Sequence, residues 1–301
     1  MTRWLRTRDL VAALIAAAGL SACVQALPIP GAGGVSDGER QQAQEALTRW
    51  AAAVEVAGGD QGFVPVGELT GQVGDWEVEV GDNNKPALYA GLLVPIAKLS
   101  TETPAAAKIR WDDGRTKTVR PMSAIAALEA LKAAGDHSCS ECAPLQVTGA
   151  RLSTVTIQTS RGPATAPAWL FTLKGTKVVA TRIAVATADA VVVTPPPWDS
   201  NNSPAGLHID SATAAVDGRQ LTVAFTGAPD VADKPCGADY SAEAVESDSA
   251  VVVITHPNGA AVACSAIGAT RTATATLTRP LGERTVLEVT QGLPVSVVVT
   301  P

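Results

Sequence analysis

The sequence predicts an α+β N-terminal domain followed by an all-β, sandwich-like C-terminal domain. Two observations predict this fold class. A chain of 301 residues is long enough for two domains, and the run Thr194-Pro-Pro-Pro197 opens a stiff, extended stretch of the kind that links domains. Helical and strand patterns alternate before this stretch, whereas short apolar runs separated by turn residues follow it. The predicted divisions are residues 36–190, a linker at 191–204, and residues 205–301.

The first residues have the pattern of an export signal. Arg3, Arg6 and Arg8 precede an apolar run at residues 10–20 that is too short to span a bilayer. The run ends in Leu20-Ser-Ala-Cys23, which resembles the signal of bacterial lipoproteins, where the cysteine accepts lipid. The resemblance implies a signal peptide at residues 1–22, a lipid anchor on Cys23, and a place on the extracytoplasmic face of the cell membrane. Prolines and glycines in residues 23–35 predict a flexible tether.

The charge of the exported part is negative. The chain carries 23 Lys and Arg against 29 Asp and Glu, a net charge of −6. Removal of residues 1–22 takes away three arginines and one aspartate, which leaves a net charge of −8. Broad nucleic-acid binding depends on basic surface, so the charge argues against a nucleic-acid partner. It also argues against adhesion to anionic lipid by charge, so the lipid on Cys23 would supply the anchoring.

Five cysteines are present, and lipidation of Cys23 leaves four. An even number in an oxidising compartment favours disulfides over metal or redox chemistry. Four cysteines allow three pairings, and the sequence alone does not select one. Their grouping favours Cys139 with Cys142 and Cys236 with Cys264, one bridge in each domain.

Local patterns predict the elements of the first domain. A capping box at Ser36-Asp-Gly-Glu39 starts a helix whose apolar residues, including Trp50, share one face. Strict alternation predicts a strand over residues 76–80. The remaining predictions are a strand at 87–96, a hairpin of 109–111 with 116–119, a helix at 123–134, and a meander of 145–147, 152–159, 168–173 and 178–185.

Seven short β-rich runs predict the sandwich of the second domain. They are residues 207–216, 219–225, 241–247, 250–255, 270–277, 285–289 and 295–299. No tryptophan lies between Cys236 and Cys264, so the immunoglobulin core signature is missing and the prediction is a sandwich-like fold only.

Two groups of segments resemble uncharacterised lipoproteins of high-GC Gram-positive bacteria. The first group comprises Cys139-Ser-Glu-Cys142, Leu145-Gln-Val-Thr-Gly-Ala150, Thr159-Ser-Arg-Gly162 and Pro167-Ala-Trp-Leu-Phe171. The second comprises Cys236-Gly-Ala-Asp-Tyr240, Glu246-Ser, Cys264 and Arg279-Pro-Leu-Gly-Glu-Arg284. The resemblance implies an envelope lipoprotein and assigns no catalytic residue.

The Cys139-x-x-Cys142 pair is the sharpest chemical candidate. A dithiol redox site would need the pair at the start of a helix that follows a strand, whereas here it follows a predicted helix and precedes Pro144. A structural clip is therefore the favoured interpretation. A metal site of His137 with the two thiols lacks a companion pair of ligands, and exported thiols oxidise.

Hydrolytic chemistry has little support in the sequence. There is no His-Glu-x-x-His pair and no phosphate-binding glycine loop, and the one Gly-x-Ser-x-Gly string, at residues 34–38, follows the Pro- and Gly-rich tether instead of the strand that a nucleophile elbow needs. His208 and Asp210 are two residues apart and would share a strand face, but a surface pair is the simpler interpretation. Asp112 and Asp113 are read as part of a hairpin turn. No catalytic residue, metal or cofactor is predicted.

The sequence thus favours a non-enzymatic, lipid-anchored envelope protein that binds an envelope protein or a wall component. Two alternatives remain open at this point: a redox accessory that uses Cys139 and Cys142, and a sensory partner of a membrane signalling protein.

Overall fold

The computed structural model describes residues 35–77, 83–197, 199, 206–258 and 267–300. The described residues belong to one compact unit that extends from Gly34 to Pro301. Three α-helices and 14 strands in three sheets make up this part of the chain. None of the described helices is both long and apolar enough to cross a bilayer. The predicted signal, most of the tether and Cys23 lie outside the described residues.

Helix α1 spans Asp37–Val56 and begins as the sequence predicts. The Ser36 hydroxyl accepts a hydrogen bond from the Glu39 N–H at 3.2 Å, and the Glu39 carboxylate accepts one from the Ser36 N–H at 2.7 Å. This reciprocal pair satisfies two of the N–H groups that a helix start leaves free. The buried face of α1 carries Leu47 and Trp50.

A seven-stranded sheet fills the first half of the chain together with two helices. Its strands and helices are β1 Thr70–Val73, α2 Asn84–Tyr89, β2 Leu93–Pro95, β3 Ala107–Trp111, β4 Thr116–Val119, α3 Ala124–Ala133, β5 Leu145–Thr159, β6 Gly162–Leu173 and β7 Val179–Ile183. The strand order is β1-β7-β6-β3-β4, with β5 paired along β6 and β2 parallel to the start of β5. The predicted hairpin, the helix at 123–134 and the meander are all present. A register shift between Val147 and Gly149 lets one long strand replace two predicted ones.

The strand predicted at residues 87–96 is wrong. Helix α2 occupies its first part and β2 its last part. Pro86 lies in the first turn of α2, where its missing N–H has no intrahelical partner to lose, and Gly91, with φ of 72°, follows the end of the helix. Trp76 and Glu77 are also not in a strand, and residues 78–80 of that prediction lie outside the described residues.

Seven strands form two further sheets in the second half. They are β8 Ser211–Ala215, β9 Gln220–Gly227, β10 Asp239–Glu246, β11 Ala250–Asn258, β12 Ala269–Thr276, β13 Thr285–Glu288 and β14 Val297–Thr300. The sheets have the orders β10-β11-β13 and β12-β9-β8-β14. Apolar residues of both sheets share one core, as in a sandwich.

Strand β11 is buried on both faces. Val251 and Val253 point into the core between the two sheets. Ala250, Val252 and Ile254 point the other way and pack with the apolar face of α1. Burial on both faces explains why this strand reads as a continuous apolar run rather than an alternating one.

Helix α1 packs on the second half of the chain, which differs from its predicted place among residues 36–190. The Trp50 Nε1–H donates to the Ser249 hydroxyl at 3.1 Å, and Val191 and Val193 are buried in the same cluster. The first residues of the predicted linker are thus core residues. The domain boundary at residues 191–204 stays a prediction, and α1 makes its contacts across it.

Candidate functional site

A cleft of about 410 Å³ lies where five segments meet. These are the chain after α1, the β3–β4 hairpin, the β5–β6 turn, the β10–β11 turn and the loop between β12 and β13. Four of its lining residues are arginines, namely Arg115, Arg161, Arg279 and Arg284. Two lining residues are acidic, Asp248 and Glu283. We call this the arginine cleft, and its excess of basic groups contrasts with the acidic chain as a whole.

The β5–β6 turn is held by one buried hydroxyl. Thr159 Oγ1 accepts hydrogen bonds from Trp111 Nε1 at 3.0 Å and from the Arg161 N–H at 3.2 Å, and it donates to the Gly162 carbonyl at 2.6 Å. Gly162 has a φ of 85°, a value that residues other than glycine rarely adopt. The turn is therefore fixed to the neighbouring hairpin, and Arg161 projects from a rigid base.

Arg161 crosses from the first half of the chain to the second. Its Nη2 donates to the Gly282 carbonyl at 2.7 Å and lies 3.5 Å from the Glu283 carboxylate. Burial lowers the pKa of the Arg161 guanidinium, Glu283 opposes this shift, and the nearby charge of Arg115 adds to it. Because Glu283 is 97% exposed, its pairing with Arg161 is screened by water and weak. Arg161 is thus a largely desolvated cation with only a weak counterion.

Arg115 lies at the β3–β4 turn, and its Nη2 donates to the Arg161 carbonyl at 3.4 Å. Its guanidinium lies 5.5 Å from the centre of the Trp111 ring, and its Nε donates to Asp113 at 2.6 Å. Hydrogen bonds from the Arg115 N–H and side chain help to hold the pKa of the Asp113 carboxyl below its ordinary value. Asp112 and Asp113 therefore act as turn residues, as the sequence predicts, and Asp113 orients an arginine.

The loop over residues 279–284 forms another part of the cleft and is built around Arg284. Only 4% of the Arg284 side chain is exposed, and its carboxylate partner is Glu246. Arg284 Nη2 also donates to the carbonyls of Arg279 and Pro280, each at 2.9 Å. Leu281 anchors the same loop in the core between the two sheets. Arg284 is therefore a structural residue, and the loop it shapes presents its backbone carbonyls and Arg279 to the cleft.

Arg279 completes the site at the rim. Its Nη2 lies 3.0 Å from Asp248, but both side chains are largely solvated. Exposed ion pairs of this kind contribute about 0–1 kcal/mol, so Asp248 and Glu283 can be displaced by a competing anion at small cost. Arginine binds carboxylate and phosphate through two parallel hydrogen bonds. The arrangement can therefore hold an anionic group between Arg115, Arg161 and Arg279.

The predicted bridge between Cys139 and Cys142 is present, with the two Cα atoms 5.5 Å apart. It lies in the connection between α3 and β5 and not at a helix start, so it lacks the feature that activates redox dithiols. Cys236 is also disulfide-bonded. Cys264 lies outside the described residues, and its pairing with Cys236 stays a prediction.

The histidines do not assemble a metal site within the described ranges, where no group of three His, Cys, Asp or Glu side chains could hold an ion. His137 is exposed beside the disulfide, and His208 and Asp210 are exposed just ahead of β8. The His208 and Asp210 side chains make no hydrogen bond to each other.

The sequence did not predict one contact between a serine hydroxyl and a histidine ring. Ser241 Oγ lies 2.8 Å from His256 Nε2, and the two residues are directly opposite each other on β10 and β11. A serine nucleophile would also need a group that orients the histidine, yet His256 Nδ1 is buried with no hydrogen-bond partner. Neither residue lines any of the described clefts. The pair is therefore a cross-strand contact.

Comparisons with protein-family models, with curated proteins and with solved structures found no match to this chain.

The arginine cleft was not predicted, although its parts were visible in the sequence. Its parts include Thr159-Ser-Arg-Gly162 and Arg279-Pro-Leu-Gly-Glu-Arg284, two segments that carry the resemblance to actinomycete-type lipoproteins. They are more than a hundred residues apart, and the Arg161–Gly282 hydrogen bond brings them together. An arginine in a tight turn and two arginines that flank a Pro-Leu-Gly-Glu loop are the signals that point to the site.

Proposed function

We propose that this protein is an exported, lipid-anchored binding protein whose ligand is an anionic component of the cell envelope. The ligand would carry carboxylate or phosphate groups on a hydroxylated frame, as an anionic wall polysaccharide does. The lipid on Cys23 would hold the protein at the membrane, and the arginine cleft would hold the ligand.

One observation carries the proposal. Arg161 is mostly buried in a cleft that contains three other arginines, and its carboxylate partner, Glu283, is almost fully exposed. Burial of a cation without a close, desolvated counterion costs free energy, and a ligand anion would recover it. Ser249 lines the same cleft, and its hydroxyl, which accepts from Trp50 Nε1, keeps its own O–H to donate to a hydroxylated frame.

Calorimetric titration with trigalacturonate, a trisaccharide that carries three carboxylates, tests the ligand class. We expect binding that weakens as salt increases, since the contacts are ionic, and no binding of the uncharged trisaccharide maltotriose. Arg161→Met and Arg115→Gln should each weaken binding by about tenfold or more, because hydrogen bonds between charged groups contribute about 1.5–3 kcal/mol.

Arg40→Gln is the matched control. Arg40 is as exposed as Arg279 and pairs with Glu243 at 3.0 Å, but it does not line the arginine cleft. Equal binding of trigalacturonate by Arg40→Gln, Arg115→Gln and Arg161→Met would refute the proposed cleft. So would equal binding of maltotriose and trigalacturonate by the parent protein.

Cell fractionation tests the anchor separately. We expect the parent protein in the membrane fraction and the Cys23→Ala variant in the soluble exported fraction, because two acyl chains bind a bilayer stably and the variant lacks the thiol that would carry them. Membrane retention of Cys23→Ala equal to that of the parent would contradict the lipid anchor and leave the cleft unaffected.

A further inference from the structure

A second cleft, of about 460 Å³, has apolar walls and one arginine. It lies between the segment that leads into β1, the chain after Val191 and the turn after β13. Its apolar lining residues are Pro65, Leu69, Ala134, Val192, Val193, Pro195, Leu293 and Pro294. We call it the Arg182 cleft. It shares no lining residue with the arginine cleft.

Arg182 lies on β7 and is the basic residue of this cleft. Its Nη1 donates to the Ile183 carbonyl at 2.8 Å and, over a longer 3.4 Å, to the Leu69 carbonyl. Its Nε is buried without a hydrogen-bond partner. Nη2 has no acceptor among the described residues. Nη2 is therefore left to donate a charge-assisted hydrogen bond to a ligand carboxylate.

The charge of Arg182 is not compensated by a carboxylate. No Asp or Glu oxygen in the described part of the chain lies within 4.0 Å of it. Glu68 lines the cleft, but it is exposed and accepts from the Thr70 hydroxyl at 3.1 Å. The C-terminal end of α3, at Ala134, offers only the partial negative charge of its carbonyls. Burial accordingly lowers the pKa of the Arg182 guanidinium.

The wall opposite Arg182 is fixed by a buried carboxylate. Glu288 is 1% exposed and accepts hydrogen bonds from the N–H groups of Thr290 at 2.7 Å, Gln291 at 2.8 Å and Leu293 at 3.2 Å. These bonds hold the turn that carries Leu293 and Pro294 into the cleft. The apolar wall therefore exists before any ligand arrives, which lowers the entropic cost of binding.

At the rim, Val192 is 40% exposed although its neighbours Val191 and Val193 are buried. An exposed valine beside Leu293 and Pro294 extends the apolar surface outward from Arg182. The cleft thus combines one cation that no carboxylate of the described residues pairs with and several apolar lining residues, which is the complement of a molecule with one acidic end and one apolar end.

We propose that the Arg182 cleft binds a single-chain amphiphile with a carboxylate head, with the head on Arg182 and the chain against Leu69, Val192 and Leu293. This site goes beyond the anionic envelope ligand of the arginine cleft and does not depend on it. The two ligands differ in kind, since one is polar and polyanionic and the other is apolar with a single charge.

Calorimetry with octanoate, decanoate and dodecanoate, each below the concentration at which it forms micelles, tests the proposal. The protein is the exported chain with Cys23→Ala, so that neither attached lipid nor detergent competes. We expect affinity to rise about fourfold for each added CH₂ that is buried. Acetate, which offers the head alone, and dodecyltrimethylammonium, which has the opposite charge, should not bind measurably.

Arg182→Met should weaken dodecanoate binding by about tenfold or more, as expected for loss of a charge-assisted hydrogen bond. Arg151→Met is the matched control, because Arg151 is exposed on β5 and does not line the cleft. Val192→Glu places a negative charge at the exposed rim and should weaken dodecanoate binding without disturbing the core. This second variant tests the same site if Arg182→Met does not fold.

Three results would overturn the proposal. They are no binding of dodecanoate by the folded parent, equal binding by the parent and Val192→Glu, or binding of dodecyltrimethylammonium as strong as that of dodecanoate. Trigalacturonate binding is expected to be unchanged in Arg182→Met, so failure of this proposal and failure of the arginine cleft give different results.

Discussion

Arg284 and Arg182, which line different clefts, lie in opposite surroundings. In the arginine cleft, Arg284 is almost completely buried, yet it is matched by the Glu246 carboxylate and by backbone carbonyls. In the Arg182 cleft, Arg182 is half-buried beside valine, leucine and proline, its Nε is unpaired, and no carboxylate oxygen of the described residues lies within 4.0 Å of it. A fully matched buried charge stabilises a loop, whereas an unmatched one is a cost that a ligand can offset. The difference separates structural arginines from binding arginines.

Arg284→Met should have the largest effect on stability. The substitution leaves the Glu246 carboxylate without its counterion, and such a broken buried pair costs about 3–5 kcal/mol. Denaturant unfolding should show this loss as a lower midpoint. The double variant Glu246→Leu/Arg284→Met should recover most of it, because both charges are then gone. A loss below about 1 kcal/mol in Arg284→Met would show that the pair is not the support of this loop.

Glu288→Gln should have an intermediate effect. The amide keeps the shape of the side chain but loses the charge that accepts three backbone N–H groups, so we expect a loss of about 1–3 kcal/mol in unfolding free energy. Dodecanoate binding should weaken as well, because the turn with Leu293 loosens. Glu283→Gln is the control, since Glu283 is almost fully exposed and its change should lie within about 0.5 kcal/mol.

Acid should weaken the pair of Glu246 and Arg284, which supports the loop over residues 279–284. Burial tends to raise the pKa of the Glu246 carboxyl, but hydrogen bonds from Arg284 and Thr278 outweigh it and bring the pKa below 4.5. Because the pKa of Glu246 is lower in the folded protein than in the unfolded chain, its ionised form stabilises the fold. This contribution is fully present above pH 4.5 and is lost as the pH falls through the pKa of the folded protein. Unfolding followed from pH 7 to pH 3 should show a smaller acid loss in Glu246→Gln than in the parent. Identical slopes would contradict this assignment.

Arg182→Met should have the smallest effect on stability. Replacement of an uncompensated buried cation by an apolar side chain of similar volume is often neutral or stabilising. We expect the unfolding free energy to stay within about 1 kcal/mol of the parent or to rise. A loss as large as that of Arg284→Met would mean that the hydrogen bonds of Arg182 to Leu69 and Ile183 are structural, and the contrast between the two arginines would disappear.

Much of the fold could be predicted from local patterns. The capping box at Ser36 encodes a helix, the turn at Asp112-Asp-Gly-Arg115 encodes a hairpin, and the short β-rich runs after residue 207 encode strands, and these elements form close to where they are predicted. Strand existence follows from such short-range signals because side-chain direction repeats every two residues.

Other features could not be predicted, because long-range contacts decide them. Helix α1 is amphipathic in sequence, but nothing local shows that its apolar face packs on β11 about two hundred residues later. The same limit applies to both clefts. Arg161 and Gly282, or Arg182 and Leu293, become neighbours only when the two halves assemble. The sequence around an arginine also does not show whether a carboxylate will pair with that arginine once it is buried.

A cross-titration tests directly whether Arg161 and Arg182 serve two separate anion sites. Trigalacturonate and dodecanoate are each titrated into the parent, Arg161→Met and Arg182→Met by calorimetry. We predict that Arg161→Met loses trigalacturonate binding and keeps dodecanoate binding, and that Arg182→Met shows the reverse. If either variant loses both ligands while it stays folded, or if neither variant loses either one, the claim that the two arginines serve two distinct anion sites is contradicted.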